Sequence, residues 1–244
     1  MRKVILHYHL FKNAGTSLDA AFKTYFTQKK WATKEFPGNK DLNTKQLTQW
    51  IESQPEVNCF SSHTAFLPVP QPKDAIVLPV IYVRHPIDRI VSAYSFEKKQ
   101  ISDSFGAVLA RNTTLAGYIE TRLSMPHDRQ CSNFQSNRFA MMYPANEGSE
   151  LSRAKAALES LPFCGIVDNY SESLNRLTKW LNKEGFTGID LKHSSQNVSQ
   201  NSSLSIDEKL NKLRQDIGQE LYERLLEVNA DDFACYEHAC KIWK

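Results

Sequence analysis

No stretch of this chain approaches the roughly 20 apolar residues that a membrane-crossing helix requires. Val4-Ile5-Leu6 is apolar but short, and His7 and His9 interrupt it, so neither a span nor a secretory leader is expected. An excess of one charge is missing too: 30 Lys and Arg against 27 Asp and Glu leave a net charge of +3. The basic residues are dispersed, which argues against a nucleic-acid partner while leaving room for a local anion site. Cysteine is scarce. Cys59, Cys131, Cys164, Cys235 and Cys240 are odd in number and lack zinc-ligand spacing, the pattern of reduced thiols in a cytosolic protein. Proline, glycine and serine never gather into a linker, and no internal repeat is present. Glycosylation-type triplets start at Asn112, Asn197 and Asn201, but such triplets are frequent by chance. With 244 residues, 41% of them hydrophobic, residues 1–244 are expected to form one domain with a sizeable core.

What is present is an alternation of strand and helix patterns. Lys3 to His9 reads as a buried strand, and Leu18, Ala21, Phe22, Tyr25 and Phe26 recur on one helical face beyond it. Thr44 to Glu52 reads as a short helix and Val57 to Ser62 as a second strand. The run from Ala75 to Val83 suits a central parallel strand covered on both faces, with Pro79 predicting that pairing begins only after it. Pro86 suits the first turn of a helix on which Ile87, Ile90, Val91 and Tyr94 recur. Residues 100–160 read as mainly helical, with a polar loop from Leu123 to Ser132. Phe163 to Val167 gives another strand, and Ser171 to Glu184 an amphipathic helix stopped by Gly185. Ser205 to Glu208 has the form of a capping box, and a last helix runs from about Gln219 towards the C-terminus. This alternation predicts an α/β fold of three layers, P-loop-like, with a central, mostly parallel sheet flanked by helices.

Two segments have the chemistry of anion sites. Lys12-Asn13-Ala14-Gly15-Thr16-Ser17 lies between a strand and a helix start. There, backbone N–H groups lack intrahelical partners and the helix dipole favours negative charge. Gly15 permits close approach of the backbone, Thr16 and Ser17 add hydroxyl donors, and Lys12 adds a mobile charge. The order differs from a Walker A loop, where Lys follows the second Gly, and magnesium usually accompanies that loop's Ser/Thr, so no metal is expected. Alone, the turn is equally compatible with an ordinary strand-to-helix connection. The second segment is Val83-Arg84-His85-Pro86-Ile87-Asp88-Arg89-Ile90-Val91-Ser92-Ala93-Tyr94. Arg84 falls at the C-terminal end of a strand, where open α/β sheets bind ligands. Its planar fork and the Ser92 hydroxyl can grip one phosphate if the helix turns back over the strand end.

Together these segments resemble the PAPS (3′-phosphoadenosine-5′-phosphosulfate)-dependent sulfotransferase superfamily, and within it the carbohydrate branch of the heparan sulfate 2-O-sulfotransferase type. Lys12 to Ser17 is similar to that family's 5′-phosphosulfate loop, and Arg84 with Ser92 to its 3′-phosphate site. Weaker similarity runs through Asn133 to Arg138 and Phe163 to Tyr170. Phe11 and Asn13 depart from the family's loop, which more often has Pro and Thr there. The resemblance implies transfer of a sulfuryl group from PAPS to a hydroxyl of a carbohydrate or glycoconjugate acceptor, with PAP (3′-phosphoadenosine-5′-phosphate) as product. It implies that Lys12 neutralises the bridging oxygen as PAP departs. Asn13, Ala14, Gly15, Thr16 and Ser17 would then hold the 5′-phosphate, and Arg84 and Ser92 the 3′-phosphate. The polar loop Ser194 to Ser203 resembles a family loop that closes over the nucleotide, making Asn197 and Ser199 candidate contacts.

Seven histidines compete for the role of base, which an ordinary pKa near 6.5 suits. His63 follows the second strand, on the same sheet edge as Lys12 and Arg84. The resemblance aligns it with the second His of the branch's His-Gly-His-Val-Ser-Tyr segment, with Ser61 at the first. Capping of the strand is the alternative for His63, and a carboxylate is the base in some sulfotransferases. His7 and His9 are expected to meet core partners, and His85 to serve structure. Asp88 and Arg89 either belong to the motif's chemistry or form an ion pair. Lys98, Lys99, Arg129 and Arg138 are candidates for an anionic acceptor. Two other readings stay open: a P-loop kinase of a small molecule, and a catalytically inactive glycan- or partner-binding protein with the same fold. No nucleic acid and no integral membrane segment are expected, and no oligomeric state is legible. The expected setting is cytoplasmic, a bacterial-type soluble enzyme, with the trimmed luminal domain of a Golgi enzyme as the alternative.

Overall fold

A computed structural model describes residues 1–27, 29–192 and 205–243. Its five strands are β1 (Arg2–Tyr8), β2 (Trp31–Thr33), β3 (Cys59–Ser62), β4 (Ala75–Val83) and β5 (Cys164–Ile166). They form one sheet in the order β2-β3-β1-β4-β5, with every pairing parallel. The α-helices among the described residues are α1 (Gly15–Tyr25), α2 (Lys40–Glu52), α3 (Pro86–Lys99), α4 (Phe105–Asn112), α5 (Leu115–Ser124), α6 (Phe134–Ala140), α7 (Glu150–Ser160), α8 (Tyr170–Lys183), α9 (Ile206–Ile217), α10 (Gln219–Glu227) and α11 (Ala230–Trp243). None is long and apolar enough to cross a membrane.

The two-residue period of β1 divides the core. Val4, Leu6 and Tyr8 pack with α2, α6, α7 and α11 through Leu47, Ile51, Phe139, Leu158 and Cys235. Ile5 faces the other way and packs with Leu18 and Phe22 of α1 and Leu174, Leu177 and Leu181 of α8. These two layers enclose the sheet, and the α/β expectation holds. A third apolar cluster joins α3, α5, α9 and α10 through Ile87, Ile90, Tyr118, Leu213 and Leu225. No disulfide joins the five cysteines, all of which lie among the described residues.

The order of the strands positions the site. From β1 the chain runs out to β2 and back to β3 on one side, then crosses to β4 and β5 on the other. Connections therefore diverge between β1 and β4, the point at which open parallel sheets form a ligand crevice beyond their carboxyl ends. The loop after β1 carries Lys12, and β4 ends at Arg84.

Several boundaries differ from the sequence reading. α1 begins at Gly15, so Gly15, Thr16 and Ser17 form its first turn rather than a turn before it. β2 is three residues long, too short to give a period. Pairing of β4 with β1 runs through Pro79, contrary to expectation, from Arg2↔Ala75 to Tyr8↔Ile81. The reason is that β5 joins only at Ile81–Val83. Pro79 therefore sits where β4 is an edge strand, a position at which a missing N–H costs little. The last helix is two helices. Buried Asn229 breaks it by donating its side-chain amide to the carbonyls of Leu225 (2.8 Å) and Cys131 (2.8 Å), and so ties the junction to the loop before α6.

Candidate functional site

The loop after β1 is held in an unusual backbone shape. Lys12 and Ala14 have φ of 64° and 60°, the left-handed region that costs a residue with a side chain about 1–2 kcal/mol. Neighbouring groups hold it there. Arg84 donates Nη1–H to the Lys12 carbonyl at 2.9 Å. The Asn13 amide, buried, donates to the Tyr82 carbonyl (2.7 Å) and to Gln135 Oε1 (2.8 Å). The Asn13 side chain thus braces the loop. Ala14 then stands at the N-cap of α1 with no capping side chain, and the first turn carries no acid. Leu18 N–H bonds to the Ala14 carbonyl (3.1 Å), leaving the N–H groups of Gly15, Thr16 and Ser17 at the bare helix end. A left-handed loop leading to an uncapped N-terminus has the geometry of an anion cradle.

The Lys12 ammonium lies against α3, 4.2 Å from the centre of the Phe96 ring. Burial, then the charges of Arg84 and Lys99, push its pKa down to about 8. Arg84 also pairs with Asp88 at 2.6 Å, and the carbonyl and N–H of Arg84 both bond to the Gln135 amide (2.8 and 2.9 Å). Asp88 does not pair with Arg89, because adjacent helical residues point apart whereas positions four apart share a face. Arg89 is instead fully buried, stacked on Phe134 and bonded to the Gln130 carbonyl. Ser92, one turn beyond Asp88, is half-buried on α3. Lys209 of α9 comes within 3.6 Å of Asp88, adding a third cation to this corner.

Across the cradle, His9, Thr16, Asp19, Ala20, Lys23, Thr24 and His63 line an open cleft of about 450 Å³. His63 lies against His9 with ring centres 3.7 Å apart. Burial and then His9 lower the His63 pKa, against the opposing pull of Glu35 and Asp19, so the imidazole is neutral near pH 7. Glu35 accepts the His63 backbone N–H at 3.3 Å and the Thr64 hydroxyl at 2.8 Å. His7 and His9 do find a partner, as expected. Each Nδ1 meets one oxygen of Asp19, at 2.6 and 3.0 Å. These three side chains bring ligand-type atoms within 4.8 Å of one another. Their spacing is that of hydrogen bonds, since two ligands on a tetrahedral zinc stand ~3.3 Å apart at bonds of ~2.0–2.1 Å.

Gly15 has a second reason to be glycine. A Cβ there would lie 1.9 Å from Cδ2 of His9, whose ring is fixed by Asp19 and His63. Gly15→Ala is expected to displace the ring or the loop at a cost of ~1–3 kcal/mol. Thermal unfolding should report this as a lowered Tm; an unchanged Tm would mean that His9 moves freely.

Of the other sequence-derived candidates, His85 is structural: it is the N-cap of α3, its N–H bonds to Asp168, and its ring meets Phe233 and Tyr236. Arg129 pairs with Glu150, and Lys98 bonds to the Tyr94 hydroxyl. Arg138 is stacked over Phe66 and Phe134. Asn197, Ser199 and the loop of residues 193–203 lie outside the described residues. Asp19, Glu35, Phe96, Gln135 and Lys209 were not anticipated. Of these, only Gln135 had a signal, in the weak similarity of residues 133–138.

Comparison with known proteins agrees with this geometry. A family profile described as "Sulfotransferase family" matches residues 1–239. A protein of Archaeoglobus fulgidus, described as an uncharacterized protein, is 34% identical over 253 residues, covering 100% of this chain and 98% of its own length.

Proposed function

The chain belongs to the sulfotransferase family, and from that premise we propose a PAPS-dependent O-sulfotransferase acting on a hydroxyl of a carbohydrate or glycoconjugate. The observation that carries the donor assignment is the bond from Arg84 to the Lys12 carbonyl, which joins two anion-binding segments 72 residues apart into one surface. The residues suit a donor with phosphates at both ends: a bare helix N-terminus at one side, and Arg84, Ser92 and Lys209 at the other. The Lys12 proton is loosened by burial and then by positive neighbours, whose charge a polyanion would offset.

In this reading Gly15, Thr16 and Ser17 hold the 5′-phosphate, and Lys12 neutralises the oxygen left on it. Arg84 and Ser92 hold the 3′-phosphate. His63 takes the proton of the acceptor hydroxyl as that oxygen bonds to sulfur and the bond from sulfur to the bridging oxygen breaks. Alignment of base, hydroxyl and leaving group, with charge offset at the leaving oxygen, supplies most of the acceleration. The cleft beside His63 is wide enough for a sugar ring. Calorimetric titration with PAP tests the assignment, with ADP and ATP–magnesium as controls. Micromolar PAP binding with much weaker ADP binding is the expected result. Preference for ATP–magnesium would point to a kinase, and no nucleotide binding to an inactive scaffold.

The lowered Lys12 pKa has a measurable consequence. Free Lys12 loses its proton near pH 8, and bound phosphate restores it. PAP affinity is therefore expected to fall as pH rises through 8. Near that pH, binding should take up about half a proton, read by calorimetry in buffers of different ionisation enthalpy. Constant affinity from about pH 7 to 9.5 without proton uptake would remove Lys12 from the donor site.

A further inference from the structure

One cluster beside the cleft is given no part in the transfer described above: buried His7 and His9 with half-buried Asp19, on the α1 side of the sheet. His7 and His9 are two residues apart and point to the same face. The Asp19 carboxylate, in the second turn of α1, receives three hydrogen bonds. Oδ1 is 2.6 Å from His7 Nδ1 and 2.8 Å from the Ser61 hydroxyl; Oδ2 is 3.0 Å from His9 Nδ1. Burial raises the Asp19 pKa, but the charge and hydrogen bonds of His7 and His9 outweigh it, and the carboxyl stays ionised well below the usual range. An ionised carboxylate accepts only, so each of its three neighbours donates to it. His9 is therefore protonated at Nδ1. Its opposite edge, Cδ2 and Nε2, rests on Gly15, and its ring face meets His63. His9 thus touches both the anion cradle and the assigned base.

We propose that Asp19 is a positioning residue for sulfuryl transfer: by accepting the Nδ1–H of His9 it fixes the imidazole that spaces His63 from the Gly15 turn. This rests on the reading of His63 as the base. The charged and titratable groups facing this imidazole are His7 from β1, Asp19 from α1 and Glu35 from the loop after β2, with His63 from the loop after β3 against its face.

Asp19→Asn separates positioning from packing. An amide has one accepting oxygen and an NH₂ that donates. The oxygen is best placed at the side that receives two donors, from His7 and Ser61, which turns the NH₂ towards His9. His9 must then give up its Nδ1 proton and adopt the other tautomer. The expected result is a kcat lower by ~10–10²-fold with PAP affinity within about 3-fold, since a misplaced base slows transfer while Arg84 and Asn13 still hold the donor loop. The acidic limb of kcat should also move to lower pH, because a negative charge that raises the His63 pKa is gone. In a His9→Gln background the same substitution should change kcat by less than about 2-fold, the signature of action through His9. An equal loss in both backgrounds, an unchanged kcat, or parallel loss of PAP affinity and stability would overturn the proposal. The tautomer is also readable in the unsubstituted protein from ¹⁵N-histidine shifts: His9 protonated at Nδ1 is expected, and the Nε2–H form would overturn it. His63→Ala is scored separately. Full activity there defeats the base assignment, whereas a failure of Asp19→Asn beside an inactive His63→Ala defeats only the positioning role.

Discussion

His63→Ala is expected to lower kcat by ~10²–10⁴-fold, the usual worth of a positioned general base, while PAP affinity stays within about 2-fold. The split follows from where the side chain lies. His63 faces the cleft and the His9 ring, whereas the donor loop is braced from elsewhere, by Arg84 and Asn13. Removing it leaves the donor cradle intact and takes the proton acceptor from the acceptor side. The pH profile gives a second readout. Burial lowers the His63 pKa, so the neutral, proton-accepting form survives below the ordinary value. Activity should therefore hold through neutral pH and fall only at a pH below about 6.5. Glu35 is the rival base, a carboxylate within hydrogen-bond distance of the His63 backbone. Glu35→Gln should cost little beyond a slight shift of the acidic limb to lower pH, because Glu35 acts on His63 through its charge. Activity of His63→Ala within about 3-fold of the parent, with a large loss in Glu35→Gln, would move the base to Glu35.

How much of this was legible beforehand depended on how local each signal is. Apolar patterning marked β1, β4 and α8, because burial on a sheet face or helix stripe needs only near neighbours in the chain. Trp31–Thr33 gave no period, since three residues complete none. The break at Asn229 was invisible because its cause lies almost a hundred residues away, at Cys131 and Asn133. The site divides in the same way. The Lys12 loop and Arg84 announce themselves by charge beside a strand end. That Arg84 latches the Lys12 carbonyl, and that Asn13 is a brace, required the third dimension. Asp19 looked like any polar residue of an amphipathic helix. Only the side-by-side strands β1 and β3 bring His7, His9, Ser61 and His63 onto it. At Gly15, expected to let a phosphate approach the backbone, the group that lies close in the protein itself is the His9 ring.

Arg84→Ala should weaken PAP by ~10²-fold and ADP by less than ~10-fold. Two of the three groups that Arg84 now contacts are replaceable. Asp88 keeps Lys209 at 3.6 Å, and the Gln135 amide still bonds to the main chain at position 84. The contact without a substitute is the one to the Lys12 carbonyl. Losing it relaxes a loop held in the left-handed region and costs every nucleotide something, the common part of the loss. The 3′-phosphate is the remainder. A charge-assisted contact to it is worth ~1.5–3 kcal/mol, or about 10–10²-fold, and ADP has no group there to lose. The ratio of the two losses therefore measures recognition apart from loop support. Arg84→Lys sharpens the distinction: it keeps the charge but not the fork that reaches Asp88 and Lys12 together. Its PAP affinity should fall between those of the parent and Arg84→Ala. Calorimetry with both nucleotides reads all of this. Equal losses of PAP and ADP would leave Arg84 as a latch for the loop and move the 3′-phosphate elsewhere.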